Sequence, residues 1–201
     1  MRRSVLTTLS TVLVLAPTIA LAHTGHGDTS GLMHGFTHPI TGIDHVLAMV
    51  AVGGLATQLG GRALWLVPVG FVGVMVVAGT LGMAGIQLPV SEVGIALSVI
   101  VLGLAVAFRL SLPESAAIAL VCFFAMFHGH VHGAELPAAA SRVPYAAGFV
   151  GATAMLHAVG VGIGLLVGWE AGALSRRLVQ AGGGAMALFG FAVLVSRFRN
   201  F

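Results

Sequence analysis

From residue 39 to residue 196 the chain runs through six apolar segments of about twenty residues each, most of them separated by little more than a turn. At 1.5 Å per residue such a segment is about 30 Å long as a helix, the thickness of a bilayer's hydrocarbon core. The segments read as about 39–59, 63–84, 92–110, 115–136, 143–168 and 178–196. Gly60, Gly61 and Arg62 divide the first pair, and "SLPE", with Pro113 suited to the start of a helix, divides the third from the fourth. With 58% of residues apolar and 7% charged, no soluble domain of this size needs so much core. The expected fold is therefore all-α, a polytopic bundle of six transmembrane helices forming one domain over residues 23–201.

Ahead of the bundle, "MRRSVLTTLSTVLVLAPTIALAH" has Arg2 and Arg3, an apolar stretch, and Ala20-Leu21-Ala22 in the pattern that signal peptidase cuts. Residues 1–22 read as a cleaved signal peptide, with an uncleaved anchor as the alternative. Cleavage leaves His23 as a periplasmic amino terminus. The arginines then place Arg62, Arg109, Arg176 and Arg177 in inner loops and Arg142 in an outer one, as the positive-inside rule asks of a bacterial inner-membrane protein. Arg197 and Arg199 on the tail pull the other way. All nine basic residues are arginines at helix ends or termini, so the formal charge of +3 says nothing of nucleic acid. Cys122, the single cysteine, can form no internal disulfide. Gly148, Gly151, Gly160 and Gly164 recur at helical spacing, a signal for close helix packing.

Polar side chains are costly inside such segments, and two stretches concentrate them. In "HGFTHPITGIDH", with Pro39 read as the first turn of a helix, His38 and His45 share one face and Asp44 lies beside it. In "FHGHVHGAE", His128, His132 and Glu135 fall at i, i+4 and i+7, again one stripe, while His130 points the opposite way. By topology both stripes reach the same outer level of the membrane. A single intramembrane histidine usually makes a helix-to-helix hydrogen bond. Two stripes that each join imidazole to carboxylate instead form the donor set of a borderline divalent ion such as Ni²⁺, Co²⁺ or Zn²⁺, and two carboxylates match its charge. His157, deeper on the fifth segment, reads equally as a pathway ligand or as a bundle hydrogen bond. Trp65, Trp169 and Tyr145 read as interface anchors.

The motifs "HPITGIDH" and "FHGHVHGAE" resemble those of the HupE/UreJ family of nickel and cobalt permeases, and the likeness covers nearly the whole chain. The resemblance implies that His38, Asp44, His45, Phe127, His128, His132 and Glu135 are needed for transport, with Gly129 and Gly133 as part of the motif. Val131 stands where relatives often have Ala. The resemblance also implies a supply of metal for a metalloenzyme such as hydrogenase or urease. The metal is then cargo rather than a resident cofactor, the partners are the ion and the bilayer, and the protein is not an enzyme. No phosphate-binding loop appears that would drive transport with ATP. Two alternatives remain at this point: an intramembrane zinc hydrolase and a non-transporting metal-binding accessory protein.

His23 and His26 lie before the first expected segment, where they read as a means to gather metal, with a solvated, flexible start as the alternative, and cannot line a path through hydrocarbon; His34 reads as a residue of capture or of the pathway. The double variant His23→Ala, His26→Ala should therefore lower uptake of scarce metal and leave uptake of abundant metal nearly unchanged. Loss of uptake at both concentrations, in protein correctly processed and inserted, would put these histidines in the essential site.

Overall fold

The computed structural model describes residues 28–136, 140–167 and 172–199. The expected signal peptide at 1–22, with His23 and His26 behind it, lies outside the described residues, as does Trp169. All regular elements among the described residues are helices: α1 Asp28–Thr41, α2 Ile43–Leu59, α3 Ala63–Met83, α4 Ser91–Ala107, α5 Glu114–Ala134, α6 Arg142–Val167 and α7 Ala173–Arg199. In hydrocarbon each backbone N–H and C=O must find its partner within the protein, and an apolar helix meets that demand alone. Helices α3, α5, α6 and α7 are each long and apolar enough to cross a membrane. Residues Gly31–Thr41 and Ile43–Leu59 pass the same test together as one bent pair, and α4, at 17 residues, is apolar but shorter.

The first expected segment needs correction. Residues 39–59 do not form one helix that starts at Pro39; Pro39 lies in the last turn of α1, and the chain bends by 81° before α2. Proline brings no N–H to that turn, and the Thr41 hydroxyl donates to the His38 carbonyl at 2.8 Å. Gly42 is extended (φ −82°, ψ 105°), and its carbonyl accepts the first bond of the new helix from the Val46 N–H at 2.9 Å. The other expected segments match their helices to within a few residues, except that the last helix begins earlier, at Ala173.

Assembly relies on glycine. A methyl group at Gly129 would overlap the Met75 carbonyl oxygen, and one at Gly133 the Gly79 carbonyl oxygen, so α5 and α3 run backbone against backbone. Gly35 meets the Tyr145 carbonyl and Gly148 that of Leu32 where α1 crosses α6; Gly53 and Gly160 do the same for α2 and α6, and Gly103 and Gly183 for α4 and α7. Small residues at i, i+4 allow this approach, and in lipid the dispersion contacts so gained replace the hydrophobic force that water would supply. The core holds Met49, Val52, Leu55, Phe71, Met75, Leu102 and Val121. Val69, Val77, Leu166, Leu188 and Phe191 stay exposed on the outside, as a lipid-facing surface requires.

Overpacking a tight contact costs about 1–3 kcal/mol. Gly133→Ala should therefore lower the unfolding temperature in detergent, whereas Gly73→Ala, with open space around the added carbon, should leave it unchanged or raise it slightly. Equal unfolding temperatures for the two variants would show that the α3–α5 contact yields without cost.

Candidate metal centre

The two polar stretches converge. His38 at the end of α1, His45 in the first turn of α2, and His128, His132 and Glu135 at the end of α5 come together at one end of the bundle. Their donor atoms form two overlapping groups, each within 4.8 Å throughout: His38, His132 and Glu135 toward the rim, and His45, His128 and His132 inside. His132 belongs to both. Side-chain exposure falls along this line, from 47% for Glu135 and 31% for His38 to 11% for His132, and His45 and His128 are fully buried.

At the rim, the His38 imidazole Nε2–H donates to Glu135 Oε2 at 3.1 Å, and His132 Nδ1 lies 3.4 Å from the same oxygen. The His132 and His38 imidazoles together hold the Glu135 carboxyl down to about 2, against the smaller opposing effect of its partial burial, so it is a carboxylate at any physiological pH. His34, exposed one turn before His38, stacks on it with ring centroids 5.8 Å apart. The carbonyl end of α5 adds a partial negative charge beside these donors.

The inner group is ordered by hydroxyls. Ser98 on α4 donates its proton to the Ile95 carbonyl at 2.6 Å, so its oxygen can accept from His128 Nε2–H at 2.8 Å. That arrangement leaves His128 Nδ1 as the nitrogen with the lone pair, and it faces His45 Nδ1 at 3.2 Å. The other nitrogen of His45 lies 3.4 Å from the Thr153 hydroxyl of α6. Two imidazole nitrogens bound at about 2.0–2.1 Å to one ion in cis positions sit roughly 3 Å apart, so the observed spacing suits a shared cation. An oxygen behind each ligating imidazole is the usual means of fixing its tautomer.

The remaining expected residues lie outside these two groups. Asp44 is in neither donor group; its Oδ1 accepts the His45 backbone N–H at 2.8 Å, at the positive end of α2. Its carboxylate offsets a helix terminus that would otherwise repel a cation beside His45. The Phe127 ring covers Gly94 of α4, where it leaves no room for a methyl group. Gly129 and Gly133 bring α5 onto α3, as described above. His130 faces away from the centre, with Nε2–H donating to the Ile86 carbonyl at 2.5 Å. His157 is 2% exposed and stands edge-on to Phe71.

Tyr145 differs from its expected place at the membrane interface. It is 1% exposed, and its hydroxyl donates to the His132 carbonyl at 3.2 Å. Phe149, one turn on, packs its ring against His132 and His45 at 4.8 and 5.4 Å. Sequence reading also missed Ser98 and Thr153. Serine and threonine are ordinary residues in apolar helices, and only their cross-helix partners set these two apart.

A family model described as HupE / UreJ protein matches residues 11–193. Over 196 residues, 97% of this chain and 100% of the relative, the sequence is 48% identical to Protein HupE of Rhizobium leguminosarum bv. viciae. No solved structure matches the chain significantly. Matched over nearly its whole length by both comparisons, the chain belongs to the HupE/UreJ family.

Proposed function

We propose that the protein is a six-span permease of the bacterial inner membrane that admits Ni²⁺ or Co²⁺ from the periplasm to supply metalloenzyme maturation, such as that of hydrogenase or urease. The observation that carries this reading is the pair of three-donor groups joined at His132. The rim group offers two imidazoles and a carboxylate, with His34 as an outer point of capture. The inner group offers three imidazoles and no carboxylate. An ion entering at Glu135 meets an opposite charge that helps it shed water, and one step further in it has lost that partner. Binding that weakens along a path is what conduction requires, because a site that holds too well does not release. In this reading α4 and the bent pair α1–α2 complete the count of six crossings.

The donor set is borderline rather than soft, which favours Ni²⁺ and Co²⁺ over Cu(I). A zinc hydrolase would draw on similar donors, but membership of the HupE/UreJ family, whose members are transport and accessory proteins, argues against an enzyme. The direct test is uptake of labelled Ni²⁺ and Co²⁺ into proteoliposomes, with and without a proton gradient. Uptake no faster than in protein-free vesicles would end the permease reading.

Two isosteric substitutions separate the carboxylates. Glu135→Gln replaces a charged carboxylate donor with a weaker, neutral amide oxygen and should cut uptake by about 10–100-fold, the size of effect that follows a change of group at a metal site. Asp44→Asn keeps the hydrogen bond to the His45 N–H but not the charge, so its uptake should fall by a smaller factor with unchanged thermal stability. Full uptake by Glu135→Gln would assign that residue a structural part.

A further inference from the structure

One hydrogen decides whether two nitrogens of the inner group can share a cation. Buried Ser98 spends its only proton on the Ile95 carbonyl at 2.6 Å, so toward His128 Nε2 at 2.8 Å it can only accept. His128 is thereby held with its hydrogen on Nε2 and a lone pair on Nδ1. Nδ1 of His45 faces that lone pair at 3.2 Å, a hydrogen-bonding distance at which two lone pairs would repel each other. The hydrogen between the two rings therefore belongs to His45 Nδ1. A further hydrogen would make one ring an imidazolium, which is costly because both rings are buried and no carboxylate belongs to the inner group. With its hydrogen on Nδ1, His45 keeps its lone pair on Nε2, where the buried Thr153 hydroxyl is placed to donate at 3.4 Å.

A divalent ion bound by both Nδ1 atoms needs both lone pairs, since imidazole ligates through a nitrogen that carries no hydrogen. The His45 hydrogen must then lie on Nε2, and an oxygen behind that nitrogen must accept it. We propose that Ser98 and Thr153 are positioning residues that divide this task and make His45 a tautomeric switch for the cation. Ser98, which only accepts, keeps the His128 Nδ1 lone pair turned toward the cation. Thr153, whose hydroxyl can turn to donate or to accept, supports His45 with its hydrogen on either nitrogen. Solvent water takes the proton from Nδ1 and returns one to Nε2, so the ring is neutral in both forms and no proton is lost in the exchange. The hydrogen bond from His45 to His128 then competes with the cation and re-forms as the cation leaves, which weakens the hold of the inner group as conduction requires. The switch deepens the permease reading above and rests on it for the identity of the ion.

Nitrogen-15 NMR of the purified protein in detergent reads the tautomer of each ring, with Zn²⁺ as a diamagnetic ion that takes the same donors. The expected result is a His45 hydrogen on Nδ1 in metal-free protein and on Nε2 at saturating Zn²⁺, with the His128 hydrogen on Nε2 in both. Thr153→Val keeps the branched shape and removes the hydroxyl, whereas Thr153→Ser retains it. Titration followed at the His45 and His128 nitrogens should show Zn²⁺ bound about tenfold or more weakly by T153V, because the buried Nε2–H then has no acceptor, and T153S should bind nearly as the wild type does. Ser98→Ala should let His128 show both tautomers in metal-free protein, a change that lost packing alone does not produce. A His45 hydrogen that stays on one nitrogen throughout the titration would overturn the switch and leave the permease reading intact. So would equal Zn²⁺ binding by T153V and the wild type. The expected tautomer exchange in a protein that takes up neither Ni²⁺ nor Co²⁺ would support the switch and end the permease reading alone.

Discussion

The contact on which the rest of the structure depends is that of α5 with α3. In the sequence His128-Gly129-His130-Val131-His132-Gly133, glycines four residues apart face α3 and histidines four residues apart lie about 100° round the helix from them, toward the bundle interior. The two stripes cannot be separated, because rotating α5 to relieve one would displace the other. Backbone contact at Gly129 and Gly133 therefore fixes the direction in which His128 and His132 point. This is how a membrane bundle obtains precision without a hydrophobic force between its helices.

The second constraint is the break at Gly42. A straight first helix would spread His38 and His45 along its length, two turns apart. The 81° bend brings His38 across to Glu135 while α2 carries His45 to His128. The break leaves a helix N-terminus, with its partial positive charge, beside a place suited to cations. Asp44 answers that charge from the first turn of α2. A carboxylate so placed puts negative charge beside His45.

Around these two features the bundle arranges polar groups by depth. Carboxylate and half-exposed imidazole stand at the rim, buried imidazoles backed by Ser98 and Thr153 come next, and an unsupported imidazole follows at His157. Each step inward removes charge or hydrogen-bond support from the donors. In hydrocarbon surroundings such groups are expensive, and their concentration at one end of the bundle is the observation on which the proposed function rests.

The sequence by itself determined that the chain is helical and built for a membrane, since the length and apolarity of its segments leave few other ways to satisfy the backbone. It also determined the stripe of His128, His132 and Glu135, because that stripe lies along one uninterrupted turn geometry and a period of 3.6 is a local property. The tertiary structure alone decided the rest. That α1 ends at Thr41, that Tyr145 turns inward to the His132 carbonyl, and that Ser98 and Thr153 stand behind the inner imidazoles are matters of which helix lies against which. Proline and glycine mark where a helix can bend, but the angle of the bend is set by the glycine contacts of α1 and α2 with α6, between residues about a hundred positions apart in the chain. Helical period carries no information across that distance, and only packing does.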